Sequence, residues 1–147
     1  MSLPRVFFDA TVWISALHKP AGFNAALLNI ACHKAFVTLS SPGISEEITR
    51  WIARHPKPEQ TIALRGNHVA LIQSINPVFV EISPRDLSKW VDVPESDRHV
   101  VAAAVKGKAD IIVTANTRHI GKPSVRGAVG HVFNPLQFLV WFRKSHE

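Results

Sequence analysis

The sequence predicts an α/β fold with helices covering a parallel sheet, and three observations carry that reading. Short apolar runs recur at Leu3–Phe8, Phe36–Leu39 and Ile111–Thr114, the pattern of parallel strands covered on both faces. Stretches of helical periodicity separate them, as where Phe23, Leu27, Ile30 and Ala31 fall on one face of Ala21–Lys34. The two kinds of segment alternate, and parallel strands need such long crossovers to be joined.

In chain order, Leu3–Phe8 is a first strand that empties into Asp9, and Thr11–Leu17 and Ala21–Lys34 are helices. Phe36–Leu39 is a second strand. Ser40, Ser41 and Pro42 then form a helix start, because serine caps orphan amides and proline fits the first turn, so Ile44–Ala53 is expected helical. His55, Pro56 and Pro58 end it. Glu59–Ile75 is a further helix with Gly66 as a weak point, and Pro77–Ile82 a third strand. Ser83–Glu95 reads as a turn, one short helical piece and a loop. Ser96 and Asp97 open a helix through VVAAAVKGK that a glycine ends. Ile111–Thr114 is a fourth strand, Asn116–Gly130 a polar, glycine-containing loop, His131–Phe133 a last strand and Leu136–Phe142 a closing helix.

At 147 residues, 46% hydrophobic and 19% charged, the chain has ordinary globular composition and the length of one domain, spanning 1–147. No repeat, low-complexity tract or linker interrupts it. The lone Cys32 cannot form an internal disulfide, which fits a reducing compartment. No apolar run approaches the ~20 residues that span a bilayer, and the N-terminus has no signal-peptide core. A cytoplasmic protein with no membrane association is therefore expected. A formal net charge of +6 permits a polyanionic partner, but the basic residues are scattered and charge alone decides nothing.

In open parallel sheets the functional crevice lies beyond the carboxyl ends of the strands. Asp9 closes the first strand, a glutamate sits in the helix after the second, and Asp97 opens the helix leading to IIVT, with Asn116 just beyond it. Each acid has an ordinary alternative. Asp9 can cap the next helix, Asp97 can favour a helix dipole, and a helix glutamate is normally solvated. By composition Glu46 and Glu47 are equal candidates; the Ile44, Ile48, Ile52 stripe adjoins Glu47. Converging carboxylates repel and lose hydration, so such a cluster is usually held by a cation. All-oxygen ligands select Mg²⁺ or Mn²⁺, which can activate water and neutralise a phosphodiester.

The same residues carry a resemblance. FFDATVWISAL, SPGISEEITRWI, DRHVVAAAVKGKADIIVTAN and VFNPLQFLVWF together resemble, over nearly the full length, the PIN-domain ribonucleases found as toxins of bacterial toxin–antitoxin pairs. The resemblance implies a three-layer α/β/α sandwich around a parallel sheet and Mg²⁺- or Mn²⁺-dependent endoribonuclease activity on RNA. It places the family's acids on Asp9, Glu47 and Asp97, and a small hydroxyl residue near the metal on Thr11. It also implies a cognate antitoxin protein as partner and homodimerisation, which similar proteins commonly show. Where many relatives carry a fourth acid this chain has Asn116. An amide can supply a carbonyl oxygen but no charge, which points to one ion or to recruitment of a second with substrate. Asp110 precedes its strand and is expected at the opposite end of the sheet. The alternative function is a non-catalytic PIN module binding RNA or protein.

Other chemistries fit poorly. A haloacid-dehalogenase-like phosphatase needs a second aspartate where Thr11 stands, no glycine-rich phosphate cradle occurs, and one cysteine without HExxH argues against zinc. Arg98, His99, Arg118, His119, Lys122 and Arg126 are candidate phosphate contacts, with the Asn116–Gly130 loop the best RNA-binding segment. His99 is also a candidate general base, although a lone helix histidine is more often structural. Trp13, Trp51, Trp90 and Trp141 read as core or interface anchors. Because adjacent helical residues diverge by about 100°, only one of Glu46 and Glu47 can face Asp9, and the expectation is Glu47.

Overall fold

The apolar runs form the centre of a parallel sheet. The computed structural model describes residues 2–146. Its strands are β1 (Arg5–Phe8), β2 (Val37–Ser40), β3 (Val78–Phe79), β4 (Ile111–Val113) and β5 (His131–Phe133). They pair in the order β3-β2-β1-β4-β5, every pair parallel. The inner strands are sealed on both faces, with Val6, Phe7, Phe8, Ile111, Ile112 and Val113 all buried, which is why they read as unbroken apolar runs.

The helices are α1 (Ala10–His18), α2 (Phe23–Cys32), α3 (Pro42–Ala53), α4 (Pro58–Ile75), α5 (Pro84–Ser88), α6 (Arg98–Lys106), α7 (Thr117–Ile120), α8 (Pro123–Ala128) and α9 (Pro135–Ser145). Right-handed crossovers place α1–α4 on one face and α5–α8 on the other. Helix α9 returns to the first face against α2, giving the three-layer α/β/α sandwich. Phe138 of α9 seals it edge-on against Phe8 and Phe36, at centroid distances of 5.9 and 5.4 Å. The Ile44, Ile48, Ile52 stripe of α3 is buried as its spacing requires. Trp13 is buried, and Trp51, Trp90 and Trp141 pack against the core. Among the described residues no helix is long and apolar enough to cross a membrane.

The chain turns abruptly into helix at one edge of the sheet. Asp9 caps α1, Ser41 caps α3 beside Pro42, and Asn134 forms a capping box with Gln137 on α9. Each cap directly follows a strand, so helix N-termini and strand C-termini share this edge. Phe8 lies beside Val113 in the register, which brings Asp9 and Thr114 together. The strand order reverses direction between β1 and β4, the switch point at which open α/β sheets bind ligands.

Several elements differ from expectation. The third strand shrinks from Pro77–Ile82 to Val78–Phe79, both exposed at the sheet edge, where only one neighbour can pair. The polar loop expected at Asn116–Gly130 contains α7 and α8, because Ile120, Val125 and Val129 are fully buried and anchor it from within. Gly66 does not interrupt α4, where open space surrounds it. At the end of α6 the left-handed residue is Lys108, with φ of 57°. Gly107 serves a different need there, since a Cβ would lie 2.7 Å from Val80.

Helix α4 carries one unfavourable group. The His68 Nε2 atom is buried without a hydrogen-bond partner, and burial pushes this imidazole below its ordinary value near 6.5. A depressed histidine binds its proton more weakly in the folded than in the unfolded state, so stability is lost as pH falls below about 6.5. His68→Leu removes the group at similar volume. The variant is expected to melt above wild type at pH 5.5 by more than at pH 7.5, and an identical difference at both pH values would exclude the effect.

Candidate active site

Among the described residues, Asp9 is the only buried acid. It leaves β1 at 3% exposure. Oδ1 accepts from the Ala10 amide at 2.7 Å, and Oδ2 accepts from the Thr114 hydroxyl at 2.7 Å and the Thr11 hydroxyl at 3.4 Å. Thr11 in turn accepts from the Ala115 amide at 3.3 Å, stitching the end of β4 to the start of α1. Burial raises the Asp9 carboxyl above its ordinary range and the Thr114 bond opposes it; Glu47 and Asp97 raise it further through their charges. These three acids therefore share one electrostatic neighbourhood, while Glu46 is exposed.

The two outer acids each meet a histidine. Glu47 Oε1 accepts from His99 Nε2 at 2.5 Å. Asp97 Oδ2 lies 3.6 Å from His119 Nδ1. The bond to Glu47 raises the His99 imidazole above its ordinary value, against the opposing effect of burial, with Asp9 and Asp97 adding smaller attractions. Asp97 closes a 3₁₀ turn, Glu95–Asp97, and its side chain caps nothing. Its charge at the N-terminus of α6 is then its remaining ordinary structural use.

The remaining expected residues are placed as follows. Asn116 is exposed, and it is its backbone amide that engages the site, donating to Thr114 Oγ1 at 3.0 Å. Asp110 lies at the opposite end of the sheet, where Oδ2 accepts from the Arg5 amide at 2.8 Å. Arg98 is turned away, donating to the carbonyls of Val93 and Val91, so it holds the preceding segment. Arg126 braces the α7–α8 turn through the Gly121 carbonyl, while Arg118 and His119 are exposed beside it. Thr114 was missed as a site residue by sequence reasoning. Its signal was present: a polar residue ending the IIVT run stands next to the residue ending β1 once those strands pair.

The donor set suits a hard divalent cation. It is all oxygen, and the Asp9 charge is disfavoured by burial and by two neighbouring acids, a strain that a cation relieves. The side chains are not drawn tightly together, and among the described residues no three acid or histidine groups form a ready-made clasp. Asp9, Glu47 and Asp97 would hold the ion, with Glu47 also engaged by His99.

A parallel α/β sandwich with acids gathered at its switch point defines the class of protein. The PIN-domain family model matches residues 5–118, and the chain belongs to the PIN-domain family. A search of curated proteins gives no match. Among solved structures, the chain is similar to FitAcB from Neisseria gonorrhoeae at a TM-score of 0.63 and 16% identity, covering 89% of this chain and 98% of that one. It is similar to VapBC2 from Rickettsia felis, bound to a DNA fragment from their promoter, at 0.63 and 13%, covering 88% and 97%. A structure of FitAB bound to an IR36 DNA fragment matches at 0.58 and 16%, covering 88% and 94%. At these identities the likeness is one of fold.

Because Asp97 caps nothing and adds charge beside buried Asp9, Asp97→Asn removes repulsion at nearly constant shape. In chelator the variant is expected to melt roughly 2–4 °C higher, corresponding to about 1 kcal/mol for a chain of this size. Mg²⁺ should then raise the wild-type melting temperature and move the variant much less. A variant that melts lower in chelator would show that Asp97 stabilises the fold.

Proposed function

We propose that the protein is a Mg²⁺- or Mn²⁺-dependent endoribonuclease acting as the toxin of a toxin–antitoxin pair. The observation that carries this reading is the buried Asp9 carboxylate, whose ionisation Glu47 and Asp97 oppose at the switch point of a PIN-family sheet. Asp9, Glu47 and Asp97 hold the cation, with Thr11 and Asn116 as lesser oxygen donors beside it. When bound, the ion supplies an activated water and neutralises charge on the phosphodiester. The chain's own contribution is orientation: Thr114 and Thr11 fix Oδ2 of Asp9, and the Ala10 amide fixes Oδ1. Exposed Arg118 on α7 and part-exposed Lys122 at the start of α8 offer cations to the RNA backbone.

The antitoxin partner rests on the family resemblance, with support from the likeness to FitAB and VapBC2. An apolar groove bordered by α1, α2 and α4 and lined by Leu17, Leu28, Ala70 and Leu71 offers such a partner a surface, and Phe23, Ile62 and Val69 are exposed on its flanking helices. Homodimerisation in a cytoplasmic setting completes the proposal. A second reading, a PIN module that binds RNA or protein without cutting, is favoured by the exposed, uncharged Asn116 where relatives carry a fourth acid.

Cleavage of structured and single-stranded RNA with Mg²⁺, Mn²⁺ or chelator separates the two. Asp9→Asn is expected to reduce metal-dependent cleavage on the order of 10²-fold or more. RNA binding without metal-dependent cleavage in the wild type would establish the second reading. Asn116→Asp tests the fourth position. A unit charge about 4 Å from a divalent ion is worth on the order of 2 kcal/mol even at the dielectric of water. Calorimetric titration should therefore give roughly thirtyfold tighter Mn²⁺ binding; unchanged affinity would place Asn116 outside the site.

A further inference from the structure

The His99 side chain is part-buried, and only one of its two ring nitrogens is hydrogen-bonded. Nε2 donates to Glu47 Oε1 at 2.5 Å, while Nδ1 is buried with no partner. A bare buried nitrogen is unfavourable unless the geometry that strands it brings a compensating contact. Here that contact is a single carboxylate.

The backbone of α3 is shaped to admit the ring. A Cβ on Gly43 would come within 2.8 Å of His99 Nδ1. Gly43 adopts no positive φ, so its backbone conformation is open to any residue. Glycine also disfavours helix relative to alanine by up to about 1 kcal/mol, and what requires it here is the ring. Gly43 and Glu47 are four residues apart on one helix, hence on one face, and His99 lies over both. The ring's home, α6, begins directly after Asp97. One imidazole thus couples the helix bearing Glu47 to the segment bearing Asp97.

We infer that His99 is a positioning residue for Glu47: seated against Gly43, it holds Oε1 and thereby presents Oε2 to the acid cluster. The inference rests on Glu47 being a metal ligand, as proposed above. A glutamate side chain has a broad terminal torsion, so a free Glu47 would sample many orientations and binding would have to freeze it. Hydrogen bonds that orient ligating carboxylates typically change metal affinity by about 10–100-fold when removed. Nε2 is the useful atom, and a glutamine at this position can place an amide N–H where Nε2–H stands.

The test is calorimetric titration of Mn²⁺ at one pH into wild type, His99→Leu, His99→Gln, Gly43→Ala and Glu47→Gln, with melts in chelator to confirm folding. His99→Leu is expected to weaken Mn²⁺ binding at least tenfold, His99→Gln to restore it to within a few-fold of wild type, and Gly43→Ala to weaken it by displacing the ring. Unchanged or tighter binding in His99→Leu overturns the inference, the tighter result meaning that the ring competes with the ion. A loss in His99→Gln equal to that in His99→Leu also overturns it, because the nitrogen would then be a ligand itself. Unchanged binding in Gly43→Ala overturns the seating by Gly43. Glu47→Gln keeps the two levels apart: if it does not weaken binding, the reading of Glu47 as a ligand fails, and if it does while His99→Leu does not, only the positioning role fails.

Discussion

Asp9 leaves the central strand with its carboxylate buried, and a buried charge must be answered by hydrogen bonds, by a counter-charge or by a proton. The surrounding structure supplies the first answer. Both oxygens accept bonds from Ala10, Thr11 and Thr114, and these three donors belong to the turn out of β1 and the end of β4. The register that sets Phe8 beside Val113 is therefore also what makes the acid tolerable. Burial and the neighbouring acids still raise its carboxyl, a residual strain that a cation bound at this edge would relieve.

Much of the fold was legible because its signals are local. Apolar runs without alternation mean strands covered on both faces, and Ser41–Pro42 and Asn134–Pro135 mark helix starts by side-chain chemistry within a few residues. The misreadings lie where tertiary contact outweighed composition. The stretch after Asn116 looks polar residue by residue, yet Ile120, Val125 and Val129 alone suffice to bury it as two short helices. The third strand was overestimated because an edge position, which no local pattern reveals, limits pairing to one side.

The site was legible to a similar depth. Acids at strand ends and helix starts can be placed on one edge from the alternation alone, and the Ile44, Ile48, Ile52 stripe oriented α3 well enough to favour Glu47 over exposed Glu46. What the sequence could not express is contact between positions far apart in the chain. Glu47 and His99 are separated by 52 residues and Asp9 and Thr114 by 105, and neither pair has a spacing rule. Arg98 illustrates the converse: adjacent to Asp97 in sequence, it points at the Val91 and Val93 carbonyls and contributes nothing to the cluster.

These contacts change how the acid cluster is balanced. A chain of net charge +6 has no shortage of cations, yet the groups that meet Glu47 and Asp97 are histidines, not lysines or arginines. A fixed guanidinium or ammonium would compete with a divalent ion for the same oxygens at every physiological pH. An imidazole can donate a hydrogen bond to a carboxylate and, unlike a guanidinium or ammonium, can give up its proton as an ion approaches. His99 is held by packing against Gly43, and His119 is half-exposed on a short helix, 3.6 Å from Asp97, so one is enclosed by its neighbours and the other faces solvent. The edge thus combines a hydrogen-bonded half, Asp9 with its threonines and Glu47 with its ring, and a more open half, Asp97 with exposed His119 of α7. For the ion and polyanion proposed above, that division places charge on the hydrogen-bonded half and leaves the open half accessible to a substrate backbone.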